Sequence, residues 1–582
     1  MTLNRYYQDE LAYLRDLGDI FAQENPKLAS FLSRKASDPH VERLLEGFAF
    51  LTATLRQRLD DDLPELVHDL LRLIWPAYLE PVPPVTTLAF RHAPGSDGTA
   101  LRVPRGTQVR SRALEGTSCP FATCFDLSVL PFELGDPALE NTASGAEIAL
   151  DLDCLPHASF APLAEHRLRL HFAPQGDPAQ AGHLHLWMLA HLRRIQVRHG
   201  EETVLSLPPT AVTPGAFTRE EAVLAQPGNA IEGFRLLQEY LLVPDKFLYV
   251  DIAGLAPLAQ TAARSLRLVF QFARPLPQQV RLPPGAIRLN CTPAVNLFRT
   301  DARPLSVDGG KTEYRLVPIQ GEGLSIHAVE GVSGYVQGAS ERIVYTPFES
   351  FRHDLPGERA HRAYYRLRAK PAVSGRRIDH YLSFVNRLDE RAVPAAETVS
   401  IGLVCSSGRL AERVPAGAVS QPGNNTPSGV LFENIAPVAP EIPPPLADGL
   451  LWRLVAALAC NFSSVANVEA LRQLIATFDF RAVQDDQMRQ RLALLLAGLE
   501  RFENTSGDIM VRGVPARIRR FTLVCQESKV GGEAEMFLLG SVLDRMLSAF
   551  ATVNSMHQFA VRGSEGNVRY EWEPRQGVKQ LL

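Results

Sequence analysis

Apolar residues recur at helical spacing at both ends of the chain and at strand spacing between them. Tyr7, Leu11, Leu14, Gly18 and Phe21 step by four and three, which lines them along one helical stripe. Asp38-Pro39 starts a second helix, because Asp accepts from an orphan amide and Pro fits the first helical position. Val41, Leu44, Phe48, Leu51 and Leu55 continue the stripe. A third helix opens near Pro64, carries Leu66, Leu70 and Leu73, and is closed by Pro76, Pro81, Pro83 and Pro84, which cannot extend helical hydrogen bonding. Such seams serve an intramolecular bundle or, less often, a surface shared with a partner.

From Val85 to about Pro440 short alternating or β-branched runs sit between Pro- and Gly-rich turns, as in Val85 to Phe90, Leu266 to Phe272 and Glu341 to Tyr345. Asp308-Gly309 reads as a hairpin turn. Residues 413–445 end in three consecutive prolines and read as a linker. Helical patterns return at Leu450 to Ala459, Asn467 to Phe478, Met488 to Phe502 and Ala534 to Val553. Strand-like runs lie at Arg519 to Cys525, His557 to Val561 and Asn567 to Trp572. The expectation is a multidomain α+β chain in four parts. These are an N-terminal helical region (1–84), a β-rich domain (85–280), a second one ending in the linker (281–440), and a C-terminal α+β domain (441–582), the β-rich pair being sandwich- or barrel-like.

Composition narrows the function classes. Hydrophobic residues are 46% and charged residues 21%, which excludes a disordered chain. A net charge of −4 provides no global basic field for nucleic acid or an anionic membrane. Of the 60 basic residues 53 are Arg and 7 Lys, a bias that interfaces favour and that a GC-rich genome also produces. The seven cysteines are scattered with no C-x-x-C pair, as in a reducing compartment. Met1 leads straight into charged residues, unlike a signal peptide, and the apolar run from Leu450 to Cys460 is interrupted by Arg453 and too short for a bilayer. A cytoplasmic protein without direct membrane insertion is expected.

Candidate chemistry does not assemble. Gly309-Gly310-Lys311-Thr312 resembles the end of a phosphate-binding loop, but Leu305 stands where the first Gly is needed. Gly331 to Tyr335 lacks the glycine spacing of a nucleophile elbow and reads as a turn. His183 and His185 would share a strand face near His191 and His199, with no carboxylate or Cys completing a metal set. Asp60-Asp61-Asp62 suits a helix cap, and Asp151-Leu152-Asp153 a plain strand or loop. Arg352, Arg359, Arg362, Arg366 and Arg368, interleaved with Tyr364 and Tyr365, suit a charged strand face better than an RNA site. No catalytic, cofactor-binding or metal-binding residue is assigned.

Other stretches carry a resemblance. Tyr6-Tyr7-Gln8-Asp9-Glu10-Leu11-Ala12-Tyr13-Leu14-Arg15, the run from Asp38 to Ala53 (DPHVERLLEGFAFLTA) and Leu73-Ile74-Trp75-Pro76 resemble the opening of the type VI secretion TssF (ImpG/VasA) family. Cys291-Thr292-Pro293-Ala294-Val295-Asn296-Leu297-Phe298 resembles its middle landmark, and Val542-Leu543-Asp544-Arg545 with Val553-Asn554-Ser555 its C-terminal one. The chain departs from the family pattern at Cys460 to Ser464 and at Met556. Leu101 to Thr107 is similar to a turn of phage baseplate proteins.

The resemblance implies a non-catalytic baseplate wedge subunit without cofactors. It would assemble with TssG, two TssF-like copies to one TssG, and meet TssK, TssE, a VgrG-like spike and the sheath at the cytoplasmic side of an inner-membrane complex. The alternatives are a wedge protein of a phage tail or phage-like particle and a β-sandwich carbohydrate-active enzyme. The stripe of Tyr7, Leu11, Leu14, Phe21, Val41, Leu44, Phe48, Leu51 and Leu55 is the candidate partner-binding surface.

Overall fold

The computed structural model describes residues 7, 11, 43–44, 46–52, 68–96, 98–173, 177–224, 232–307, 311–336, 342–350, 363–372, 377–385, 397–446, 454, 467–511, 513–548 and 555–577. Within them the chain is a multidomain α+β protein. Its longer helices are α1 (Pro178–Leu186), α2 (Glu232–Leu242), α3 (Val468–Phe478), α4 (Asp486–Gly498) and α5 (Glu533–Ser548).

An antiparallel six-stranded sheet runs in the order Val419–Pro422, Gln108–Ser111, Pro120–Thr123, Cys291–Val295, Val85–His92, Val430–Asn434. Its strands come from both sides of residue 280, and the stretch 413–445 supplies both edges instead of spanning freely between domains. Buried Asn434 explains the order there. Its Oδ1 accepts from the Val419 amide at 2.8 Å, and its Nδ2 donates to the carbonyls of Pro415 and Ala436 at 2.9 and 2.8 Å. The prolines are tolerated because edge strands need fewer backbone donors. The same stretch then pairs with the N-terminal segment through bridges Val85 to Ala439 and Val82 to Ile442.

Two further sheets enclose the main core. One runs Glu202–Leu207, Leu192–His199, Ser265–Phe272, Gly145–Cys154, Phe132–Leu134; the other Val212–Pro214, Tyr249–Ile252, Leu168–Phe172, Ile287–Arg288. Strand Ser265–Phe272 alternates so that Leu266, Leu268, Phe270 and Phe272 point inward, the period-two pattern visible in the sequence. Helix α1 packs against strand Leu168–Phe172 and α5, and α2 against α5 and α3; both lie inside the stretch expected to be β-rich.

An eight-stranded sheet is confined to residues 298–406. It has its own core of Val307, Tyr314, Leu382, Phe384, Ile401 and Leu403, among others. Gly331 to Tyr335 lies inside its strand Ser325–Val336, not in a turn; register shifts at Ile326/Ala328 and Val329/Gly331 absorb the glycine as bulges. Asp308 and Gly309 lie outside the described residues.

Towards the C-terminus the Asn467 side chain caps α3 by accepting from the Ala470 amide at 2.8 Å. Helix α4 ends at Gly498, and strand Leu499–Val511 begins inside the stretch whose helical spacing runs on to Phe502. Strands Val514–Cys525 and Ser555–Gly563 run parallel, with α5 between them in sequence.

Candidate assembly interface

The expected seam divides. Leu11 is buried and Tyr7 half-buried, whereas Leu44, Phe48 and Leu51 stand 74%, 60% and 62% exposed on helical turns within 43–52. Steps of four and three put these three on one face. Ala49 lies off that face and is fully buried, so this segment rests on the protein through a small residue and turns its large ones to solvent. Phe50, 51% exposed, widens the apolar surface. Scattered single apolar side chains are ordinary on a surface; four within two helical turns form a contiguous apolar patch. Leu14, Phe21, Val41 and Leu55 lie outside the described residues.

A second helical segment, 68–74, leaves Leu70, Leu73 and Ile74 exposed and buries Leu71. It ends in an anchor. The Trp75 ring lies 5.8 Å from Phe234 of α2 and 5.7 Å from Phe478 of α3, and Tyr78 meets Phe480 edge-on at 4.8 Å. The Tyr78 hydroxyl donates to the Thr477 carbonyl at 2.6 Å. These rings come from three distant parts of the sequence, so the helical neck is bolted where the middle and C-terminal bodies meet. Pro76 enters at the start of a short 3₁₀ turn, where its missing amide costs nothing.

Behind the neck the charges are consumed internally. Glu239 of α2 accepts from Arg235 at 2.5 Å, from Lys246, and from the amides of Val223 and Leu224 at 2.7 and 3.0 Å. Burial pushes the Lys246 ammonium down to about 8, against the opposing pull of Glu239. Arg169 forks onto Asp251 at 2.6 and 2.7 Å and reaches Glu221 at 2.5 Å. Buried, shifted groups mark catalytic sites or structural ion networks. Here every charge points at a protein partner, and together they pin the strap 217–224 to α2 and the sheet below.

The histidines read as a strand pair lie on α1. Asp177 caps that helix by accepting from the Ala179 amide at 3.0 Å, and Pro178 takes its first position. A two-residue step on a helix separates side chains by about 200°, so His183 and His185 diverge. His183 meets Trp187 edge-on, and His185 is buried between Phe172 and Phe537, where burial pushes it down to about 3. Among the described residues no group of three His, Cys, Asp or Glu is placed to hold a metal ion. Asp151 sits on strand Gly145–Cys154, 3.5 Å from Arg267. Arg366 lies 4.0 Å from the Phe348 ring centroid and Arg368 reaches Glu313 at 2.5 Å, so this basic strand is engaged within its own sheet domain. Asp60 to Asp62, with Arg352, Arg359 and Arg362, lie outside the described residues.

Fold and surface together define a multidomain α+β chain whose helical segments 43–52 and 68–74 expose apolar side chains, the second ending in the buried anchor of Trp75 and Tyr78. The chain belongs to the type VI secretion system TssF family, whose model matches residues 1–579. It is 28% identical to the type VI secretion system component TssF1 of Pseudomonas aeruginosa, over all of this chain and 99% of that one. Its fold matches a chain of the TssK-TssF-TssG baseplate subcomplex solved by cryo-electron microscopy. There the TM-score is 0.73 at 24% identity, over 92% of this chain and 99% of the other. A chain of the type VI secretion baseplate complex matches with a TM-score of 0.61, also at 24% identity, over the full length of both.

Proposed function

We propose that this chain is a structural wedge subunit of a type VI secretion baseplate, acting through interfaces and not through a reaction centre. The observation that carries this is the open apolar face of Leu44, Phe48 and Leu51 on a chain whose family match runs nearly end to end. Relatives of the same fold sit in a complex with TssK and TssG. The neck is therefore assigned to a TssG-like partner, with two copies of this chain for each partner, and TssK-, TssE-, sheath- and spike-like subunits further out. Covering one exposed Leu or Phe is worth about 1.5–3 kcal/mol, so three or four of them offset much of the entropy lost on docking. The internal pairing of the buried charges supports a non-enzymatic role. No helix among the described residues is long and apolar enough to cross a membrane, which agrees with a place at the cytoplasmic side of an inner-membrane complex. The family is a secretion-system family, which favours that setting over a phage tail.

The test is co-expression with the TssG-like protein encoded nearby, followed by light scattering. A complex holding two of these 64.1 kDa chains per partner is the expected result. A chain that purifies alone and monomeric contradicts the assignment.

A further inference from the structure

The longest strand among the described residues, Leu499–Val511, runs at the edge of the C-terminal sheet, whose order is Leu499–Val511, Val514–Cys525, Ser555–Gly563, Arg569–Glu571. It pairs along its length with Val514–Cys525, and Val511 faces Val514 across a tight turn in which Gly513 takes φ +83°. Its other edge carries no strand among the described residues. Near its start it is covered: Arg472 of α3 donates to the Leu499 carbonyl at 2.6 Å, and Phe502 stacks on Phe521. Beyond Phe502, residues Glu503, Asn504, Thr505, Ser506, Asp508 and Met510 are exposed, Met510 by 65%. The third strand begins opposite Arg517, so 509–511 and 514–516 extend past it as a two-stranded ribbon.

A free edge is a row of unspent backbone donors and acceptors, and sequences usually blunt it by shortness, by Lys or Pro, or by bulges. This strand has 13 residues with neither Lys nor Pro, and its one register shift, between Leu499 and Arg501, lies at the covered end. What such an edge accepts is another extended chain.

Its own sequence fits it. An edge strand can pair antiparallel with its copy across a two-fold axis normal to the sheet, and residues that then face one another lie on the same face. With the axis at Ser506, Phe502 faces Met510 of the copy, Glu503 faces Ile509, Asn504 faces Asp508 and Thr505 faces Gly507. No like charges meet, a carboxylate faces an amide, and an aromatic ring faces a thioether, a favourable contact. Registers centred nearer the covered end oppose like charges: an axis at Glu503 sets that residue against itself, and one at Asn504 sets Glu500 against Asp508. We propose that Leu499–Val511 is a self-association surface, on which two copies of this chain pair these strands antiparallel about Ser506 and continue one sheet through both molecules. The pairing concerns this chain alone and does not rest on the baseplate reading.

The test uses the full-length chain expressed without its partner. Across a concentration series, light scattering should rise from 64.1 kDa towards twice that mass. Ser506→Lys sets two like charges on the axis and should weaken dimerisation about fivefold. Ser506 is exposed, so the variant keeps the wild-type melting temperature. Ser506→Cys treated with bismaleimidoethane should yield a crosslinked dimer, whereas Arg409→Cys, exposed elsewhere on the chain, should yield no more than the wild type. A chain that stays at 64.1 kDa throughout overturns the proposal, as does a dimer that Ser506→Lys leaves unchanged and Ser506→Cys does not crosslink. A chain that is monomeric alone and is crosslinked through Ser506→Cys only to the TssG-like partner assigns the edge to that partner and overturns the self-pairing.

Discussion

Tyr78 and Thr477, 399 residues apart in sequence, share a buried hydrogen bond of 2.6 Å from the phenol to a backbone carbonyl near the end of α3. That bond fixes the neck to the C-terminal domain, and the Trp75, Phe234 and Phe478 rings enclose it. A surface on the neck is useful for assembly only if the neck itself does not yield.

Tyr78→Phe keeps the ring and leaves the Thr477 carbonyl unpaired. It should cost about 1–2 kcal/mol in denaturant unfolding, because an unsatisfied buried acceptor carries its full desolvation penalty. Trp75→Ala opens a cavity among three bodies and should cost about 3–5 kcal/mol. Equal effects would mean that the rings contribute little to the anchor.

In the Glu239 cluster the two ends are not equivalent. Lys246→Met leaves the Arg235–Glu239 pair intact, whereas Glu239→Gln strands the buried Lys246 ammonium and takes from Arg235 one of its two carboxylates, leaving it Glu232. Breaking a buried pair costs about 3–5 kcal/mol when a charge is stranded. Thermal melts should therefore show a far larger loss for Glu239→Gln than for Lys246→Met, and the reverse order would contradict the role given to Glu239.

Acid should weaken the fold through its buried histidines. Burial lowers His171 and His185 to about 3, and His327 and His380 to about 4. Between the unfolded value near 6.5 and these folded values, the unfolded chain binds more protons, so stability falls as pH falls through that window. Glu80, raised to about 7, works the other way between about 4.5 and 7, and burial raises Asp245, Glu349 and Glu441 as well; the histidines outnumber these acids, since burial also lowers His68, His183 and His191. Melting temperatures should decline from pH 6.5 to 4, and His185→Phe should flatten the decline. A variant with an unchanged slope would rule out His185 as a contributor.

Much of the fold was legible where one face is buried and the other wet. Ser265–Phe272 and Val468–Phe478 show their periods openly, and Asn467 caps the latter as its residue type suggests. Helix α2 carried a stripe, with Phe234, Leu237, Tyr240 and Leu241 at steps of three and four, which the strand-like texture around it obscured; that its polar residues Arg235, Gln238 and Glu239 are buried as well was not legible. Helix α1 did carry a signal, the Asp177-Pro178 start, which the strand-like texture around it obscured. The strands of 413–445 were hidden by their prolines, and their order depends on Asn434, whose partners no local pattern names. Of the candidate surface, periodicity gave the shared face of Leu44, Phe48 and Leu51; it could not tell that this face points outward, because that depends on what Ala49 rests against.

The most direct test of the central claim is the mass of the co-purified complex formed by Leu44→Asp/Phe48→Asp beside that of the wild type. Both residues are exposed, so the variant should melt within about 0.5 kcal/mol of the wild type. The expected result is a folded variant that no longer holds the TssG-like partner, while the wild type forms the two-to-one complex. A variant that still forms that complex at full occupancy would contradict the assignment of the neck as the assembly surface.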